Sequence, residues 1–136
     1  DAERAAAISP NLRFTDDLLD LCASCDYITI HVPATPKTKG MIGADEIAAM
    51  KEGAAFLNFS RDTLVDNDAM RAGLTSGKVR RYVTDFATPE VMTMEGALVL
   101  PHLGASTAEA EENCAEMAVR EVMDYLETGK KVHCVN

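Results

Sequence analysis

The chain has 136 residues, 47% of them hydrophobic, which is enough for one domain with one core and too little for two. A formal net charge of −9 excludes a grip on nucleic-acid phosphates through a basic face. No charged and apolar leader opens the chain, and no apolar run approaches the roughly 20 residues that span a bilayer, so a soluble protein with no membrane partner is expected.

Taken in chain order, the first residues, "DAERAAAISPNLRF", resemble the end of a helix-turn-strand unit more than a domain start, so a preceding segment is expected. "TDDLLDLCASC" predicts a helix with Thr15 as N-cap and acids in its first turn. "YITIHV" is then a β-branched strand ended by Pro33. The turn-rich loop "PATPKTKGMIG" leads to a short helix, "ADEIAAM", that stops near Gly53, and "AAFLNFS" is the next buried strand. "DNDAMRAGLTSGK" predicts a helix capped by Asp66 or Asn67 and stopped at Gly77, followed by the strand "VRRYVTDF". After a loop, "TPEVMTMEG", comes a short fourth strand, "ALVLPH". From Ser106 a long helix is expected, with Ser106 and Glu109 as a capping box and Gly129 as the stop. Its apolar residues Ala110, Cys114, Met117, Ala118, Met123 and Leu126 fall at roughly helical spacing. Strands that keep alternating with helices predict the α/β class, a parallel sheet with helices on its faces.

The four cysteines, Cys22, Cys25, Cys114 and Cys134, are too sparse for a disulfide scaffold and fit a reducing, cytoplasmic setting. "CASC" has the spacing of half a zinc site or a redox pair, but no second half lies near it. At the end of a helix these thiols read as small packing residues, and no metal is expected.

In a doubly wound sheet, ligands bind beyond the carboxyl ends of the strands, so the residues at each strand exit are the candidates for chemistry. Those exits read "HVPAT", "NFSRD", "TDFATPE" and "PHLGAST", which offers Arg61, Asp85, Glu90 and His102 to one cleft edge. An arginine, two carboxylates and an imidazole form an acid-base and anion-binding set. Each also has a plainer reading: Arg61 as a surface partner of Asp62 or Asp66, Asp85 as a turn cap, Glu90 as a solvated charge, His102 as a donor to a buried turn. His31 and His133 have no comparable company and read as structural.

The strings "CDYITIHVPATPKTKGMIG", "MKEGAAFLNFSRDTLVDNDAM", "GKVRRYVTDF" and "LVLPHLGASTAEAEENCAEMA" resemble, in order, the nucleotide-binding domain of the D-isomer-specific 2-hydroxyacid dehydrogenases. The resemblance covers most of residues 22–136 and corresponds to the C-terminal part of that domain. It implies an incomplete three-layer Rossmann-type sheet, NAD as cofactor, a small 2-hydroxy or 2-keto acid as substrate, and a homo-oligomeric parent enzyme whose substrate domain lies outside this chain. By the same resemblance, His102 is the acid-base residue, Arg61 holds the substrate carboxylate, and Glu90 is the acid that orients the histidine. The cofactor would meet Val32 and Pro33 at the adenosine, Phe59, Ser60 and Arg61 near the nicotinamide, Asp85 at the carboxamide, and His102, Leu103, Gly104 and Ala105. An imidazole titrating near neutrality suits removal or return of a hydroxyl proton, and a guanidinium fork suits a carboxylate.

Three departures from the family pattern stand out. No G-x-G-x-x-G run occurs, and no glycine precedes Gly40. The usual Arg-Gly is Arg61-Asp62, which sets a carboxylate beside the guanidinium. The acidic loop before the histidine is the short "ATPEVMTMEGA", where Glu95 is an alternative to Glu90. A sister dehydrogenase of the same family, a non-catalytic dinucleotide-binding regulatory module, and a thiol or zinc module remain as other readings.

Overall fold

The computed structural model describes residues 2–133. They fall into two compact units that divide between Pro101 and His102.

The first unit opens with α1 (Ala2–Ile8), none of whose residues is buried. Then follow α2 (Leu18–Ser24), β1 (Tyr27–Ile30), α3 (Ala44–Ala49), β2 (Ala54–Asn58), α4 (Asn67–Ser76), β3 (Val79–Thr84), α5 (Pro89–Met92) and β4 (Ala97–Val99). The four strands are all parallel and lie in the order β1-β2-β3-β4. Parallel crossovers are right-handed, so a strand order that advances steadily carries its connections over one face of the sheet. Burial follows that rule. Ile28 pairs in register with Phe56, and Phe56 with Tyr82; all three are buried in one cluster with Cys22, Ile47 and Met70 from α2, α3 and α4. The Phe56 and Tyr82 rings sit 6.1 Å apart between centroids at the middle of this core. On the opposite face, Thr29, Leu57, Val83 and Leu98 are in register, and Thr29 and Leu98 are exposed.

Strand and helix ends differ in places from the sequence pattern. Each strand stops earlier than its apolar run, so Val32, Phe59, Ser60 and Asp85 stand in the exit loops. Asp17, not Thr15, caps α2: its carboxylate accepts the amides of Leu19 and Asp20, and its charge adds to what a hydroxyl could supply at a helix start. Thr15 accepts the Asp17 amide instead. Asp66 caps α4 through the Ala69 amide, and Gly77 ends it in the left-handed conformation. The segment "TPEVMTMEG" is not all loop, because Thr88 caps the one-turn α5 with Pro89 at a position where its missing N–H costs nothing. "VRRYVT" breaks strand alternation because the register with β2 shifts at Ala54 and Ala55, leaving both Arg80 and Arg81 exposed. Arg80 turns to Tyr27, donating to its hydroxyl at 2.6 Å and lying 5.2 Å from its ring centroid.

The second unit is built on α6 (Ala108–Thr128). Thr107 caps it through the Ala110 amide, one residue later than the expected Ser106, so the Ser106–Glu109 capping box is out of register. Gly129 ends it as expected, in the left-handed conformation. His133 reaches back to Glu121 at 2.7 Å on the surface.

Two features of the core generate predictions. Gly73 faces α3 and β3, where an added Cβ would lie 2.8 Å from Ile47 Cγ2 and 3.3 Å from Val79 Cγ2. Gly73→Ala is expected to lower unfolding free energy in urea by about 1–3 kcal/mol, since overpacking outweighs the better helix propensity of alanine. Cys22 is fully buried, and burial, reinforced by Glu46 and Cys25, pushes its thiol from 9.0 up to about 11. A thiol that keeps its proton longer when folded contributes stability that is complete below pH 9 and lost as pH rises through about 11. Alkaline urea titrations should therefore show a fall over that window that Cys22→Ala flattens. In the native protein, thiol reagents should label the exposed Cys114 and the half-buried Cys25 well before Cys22. Cys134 lies outside the described residues.

Candidate functional site at the strand exits

Because β1, β2 and β3 are parallel neighbours, their carboxyl ends open on one edge of the sheet. The exits of β1 and β2 are joined there. Ser60 donates its hydroxyl to the Val32 carbonyl at 2.6 Å, so the turn after β1 and the turn after β2 are held as one piece. Val32 and Ser60 are half-buried, whereas Pro33 and Phe59 are exposed, which gives this edge an apolar, partly open surface.

Asn58 is the side chain beneath it that sequence patterning passed over. It ends the buried run "AAFLN", is itself 0% exposed, and spends its amide on the turn it precedes. Its Oδ1 accepts the Ser60 amide at 3.1 Å, and its Nδ2 donates to the Arg61 carbonyl at 2.8 Å. A signal was present in the sequence, namely an asparagine inside an apolar strand, where a polar group must find partners.

Arg61 leaves this turn exposed. Its guanidinium donates through Nη1 to the Ser60 carbonyl at 2.6 Å, and it forms no ion pair with Asp62 or Asp66 among the described residues. Those two carboxylates are otherwise engaged. Asp62 accepts the Thr63 amide at 2.8 Å, and Asp66 accepts the Ala69 amide at 2.9 Å as the cap of α4. The surface-pair reading of Arg61 is therefore not what the fold adopts, and the neighbouring Asp62 does not occupy the guanidinium.

Further along the edge, the chain turns at Asp85 and Phe86, where the buried Thr84 hydroxyl accepts the Phe86 amide at 3.2 Å. Asp85 is half-buried. Glu90 lies in the first turn of α5 and is exposed; its carbonyl, not its carboxylate, is held by Arg71 at 2.9 Å. Glu90, Asp62, Asp66, Lys39, Phe86 and Tyr82 all line a cavity of 520 Å³ beside the exits of β2 and β3. The buried Tyr82 phenol titrates above its ordinary range, chiefly through burial, with Asn58 and Thr84 opposing and Asp62 adding to the shift. The loop from Pro33 to Gly43 is stitched to the β2 exit by Gly40 to Thr63, Ile42 to Leu64 and Asp66 to Ile42 backbone bonds. Periodicity could not foresee that stitching.

His102, Leu103, Gly104 and Ala105 begin the second unit, follow β4 and Pro101 in the chain, and are all exposed. His31 at the β1 exit bonds Thr29 through Nε2 at 2.9 Å, which suits a structural histidine.

Comparison with known proteins gives these residues a setting. The family model of the D-isomer specific 2-hydroxyacid dehydrogenase NAD binding domain matches residues 2–104. The chain is 34% identical over 129 residues to D-3-phosphoglycerate dehydrogenase of Methanocaldococcus jannaschii, covering 90% of this chain and 25% of that protein. It is likewise 34% identical to glyoxylate/hydroxypyruvate reductase B of Cronobacter sakazakii, covering 93% and 41%. Among solved structures it matches a D-isomer specific 2-hydroxyacid dehydrogenase from Xanthobacter autotrophicus, in complex with NADPH and MES, with a TM-score of 0.71 and 27% identity, over 85% of this chain and 50% of that one. The chain thus spans between a quarter and about two-fifths of the curated relatives it matches. With its parallel sheet and its matched length, the chain belongs to the NAD-binding domain family of the D-isomer specific 2-hydroxyacid dehydrogenases.

Proposed function

We propose that this chain serves as the nucleotide-binding part of D-3-phosphoglycerate dehydrogenase, which oxidises 3-phosphoglycerate to 3-phosphohydroxypyruvate in serine biosynthesis. The observation that carries the reading is Arg61: a cation at a strand exit whose acidic neighbours bond backbone amides instead, which leaves its guanidinium able to take a carboxylate. The substrate rests on the identity with phosphoglycerate dehydrogenases and on the "NFSRD", "YVTDF" and "PHLGAST" wording. Equal identity to a glyoxylate/hydroxypyruvate reductase supports a second reading, with an unphosphorylated 2-keto acid.

The residues of the first unit fit the ring portions of NAD. Val32, Pro33 and Phe59 offer apolar surface at adjacent exits, tied together through Ser60. No Gly-x-Gly-x-x-Gly turn for the pyrophosphate occurs among the described residues. When bound, the nicotinamide supplies the hydride acceptor. In this scheme His102 takes the hydroxyl proton during oxidation and returns it during reduction, while Arg61 fixes the carboxylate in two parallel hydrogen bonds. Glu90 orients the imidazole, and Asp85 meets the carboxamide.

Two measurements check this. NADH oxidation by the full-length protein that carries this chain should be strong with 3-phosphohydroxypyruvate and weak with glyoxylate and hydroxypyruvate. His102→Ala should lower kcat by roughly 10²–10⁴-fold, and Arg61→Ala should lower kcat/KM by about a hundredfold as a charged hydrogen-bonding partner is lost. Preference for an unphosphorylated acid would favour the second reading, and a folded protein that binds NADH but turns over none of the three would favour a regulatory module. In titration calorimetry, the 136-residue chain alone should bind NAD more weakly than micromolar; micromolar binding would show that residues outside it are not needed for the grip.

A further inference from the structure

We infer that Asn58 is a positioning residue for Arg61, acting through the backbone of the turn at residues 58–61 and through the Ser60 hydroxyl that locks this turn to the β1 exit. The inference deepens the proposed function and rests on Arg61 holding the substrate carboxylate.

Three hydrogen bonds carry it. Asn58 accepts from the Ser60 amide and donates to the Arg61 carbonyl, so one rigid, fully buried side chain holds the main chain on both sides of the Ser60–Arg61 peptide. Ser60 then donates to the Val32 carbonyl, which fixes the same turn relative to the neighbouring strand exit. Among the described residues the Arg61 guanidinium is held only by its bond to the Ser60 carbonyl, within the segment that Asn58 brackets. A long, exposed side chain carries many rotamers, and its reach is set by the position and direction of its Cα–Cβ bond. Fixing the backbone on both sides sets the position and direction of that bond without touching the guanidinium. The packing explanation alone is insufficient, because an apolar residue of similar size would fill the volume. What an apolar residue cannot do is hold a donor and an acceptor of the following turn at once.

A double-mutant cycle in the full-length protein tests the point, with kcat and KM for the 2-keto acid read separately, NADH affinity read by fluorescence, and thermal melting run on each variant. Asn58→Ala should lower kcat/KM about tenfold when Arg61 is present, mainly through KM for the keto acid, since a misplacement of about 1 Å is costly at a positioned group. In the Arg61→Ala background the same change should cost less than about twofold, which is the signature of coupling. In Asn58→Ala the loss of NADH affinity should be smaller than the loss of kcat/KM for the keto acid, and a larger loss of NADH affinity would overturn the assignment to the carboxylate clamp. Should Asn58→Ala fail to fold, Ser60→Ala, which removes one hydrogen bond at a half-buried hydroxyl, takes its place in the cycle and should show the same coupling at about threefold. Equal losses with and without Arg61 would overturn the positioning role while leaving the clamp intact. If Arg61→Ala left kcat/KM unchanged, the clamp reading would fail first, and any loss from Asn58→Ala would then be a purely structural one.

Discussion

The parallel pairing of β1 to β4 is the constraint from which the rest of this protein follows. Parallel strands cannot be joined by tight turns, so each must be followed by a crossover, and the crossovers here run over one face. That sends every strand exit to the same edge. The consequence is chemical: Val32, Arg61 and Asp85, separated by 29 and 24 residues in the chain, are delivered to adjacent positions on one rim.

The core supports that rim asymmetrically. Ile28, Phe56 and Tyr82 stand in one row beneath α2, α3 and α4, and close packing there leaves so little room that Gly73 cannot carry a methyl group without moving its neighbours. Two polar residues, Asn58 and Thr84, are buried at the carboxyl ends of β2 and β3. Both spend their side chains on amides of the exit turns, Ser60 and Phe86 respectively. Buried polar groups are costly unless paired. Among the described residues the buried polar side chains lie only at this edge, where the fold gives up apolar burial in exchange for a fixed backbone.

The electrostatics of the edge follow from how the acids are used. Asp62 and Asp66 are near Arg61 in sequence, yet each accepts a backbone amide, and a helix start is the site at which a carboxylate is best placed. An acidic chain can therefore leave the Arg61 guanidinium without a carboxylate partner among the described residues. The cavity beside β2 and β3 is acidic in contrast, with Asp62, Asp66, Asp68 and Glu90 against the single cation Lys39 among its lining residues.

The sequence by itself determined the class of fold, the order of the strands and of the helices longer than one turn, and the residues at each strand exit, because periodicity, turn chemistry and family wording are all local and all agreed. It determined the Gly77 and Gly129 helix stops for the same reason. It misplaced the caps at Asp17 and Thr107 by one or two residues, since several adjacent polar side chains can cap and only the backbone path selects among them. The one-turn α5 was too short for any periodic signal. Only the tertiary structure decided that Arg61 is not paired with Asp62, that Ser60 reaches 28 residues back to Val32, and that Asn58 grips the turn between them. These are choices between hydrogen-bond partners distant in sequence or equivalent in type, and a partner is selected by where the packed backbone puts it.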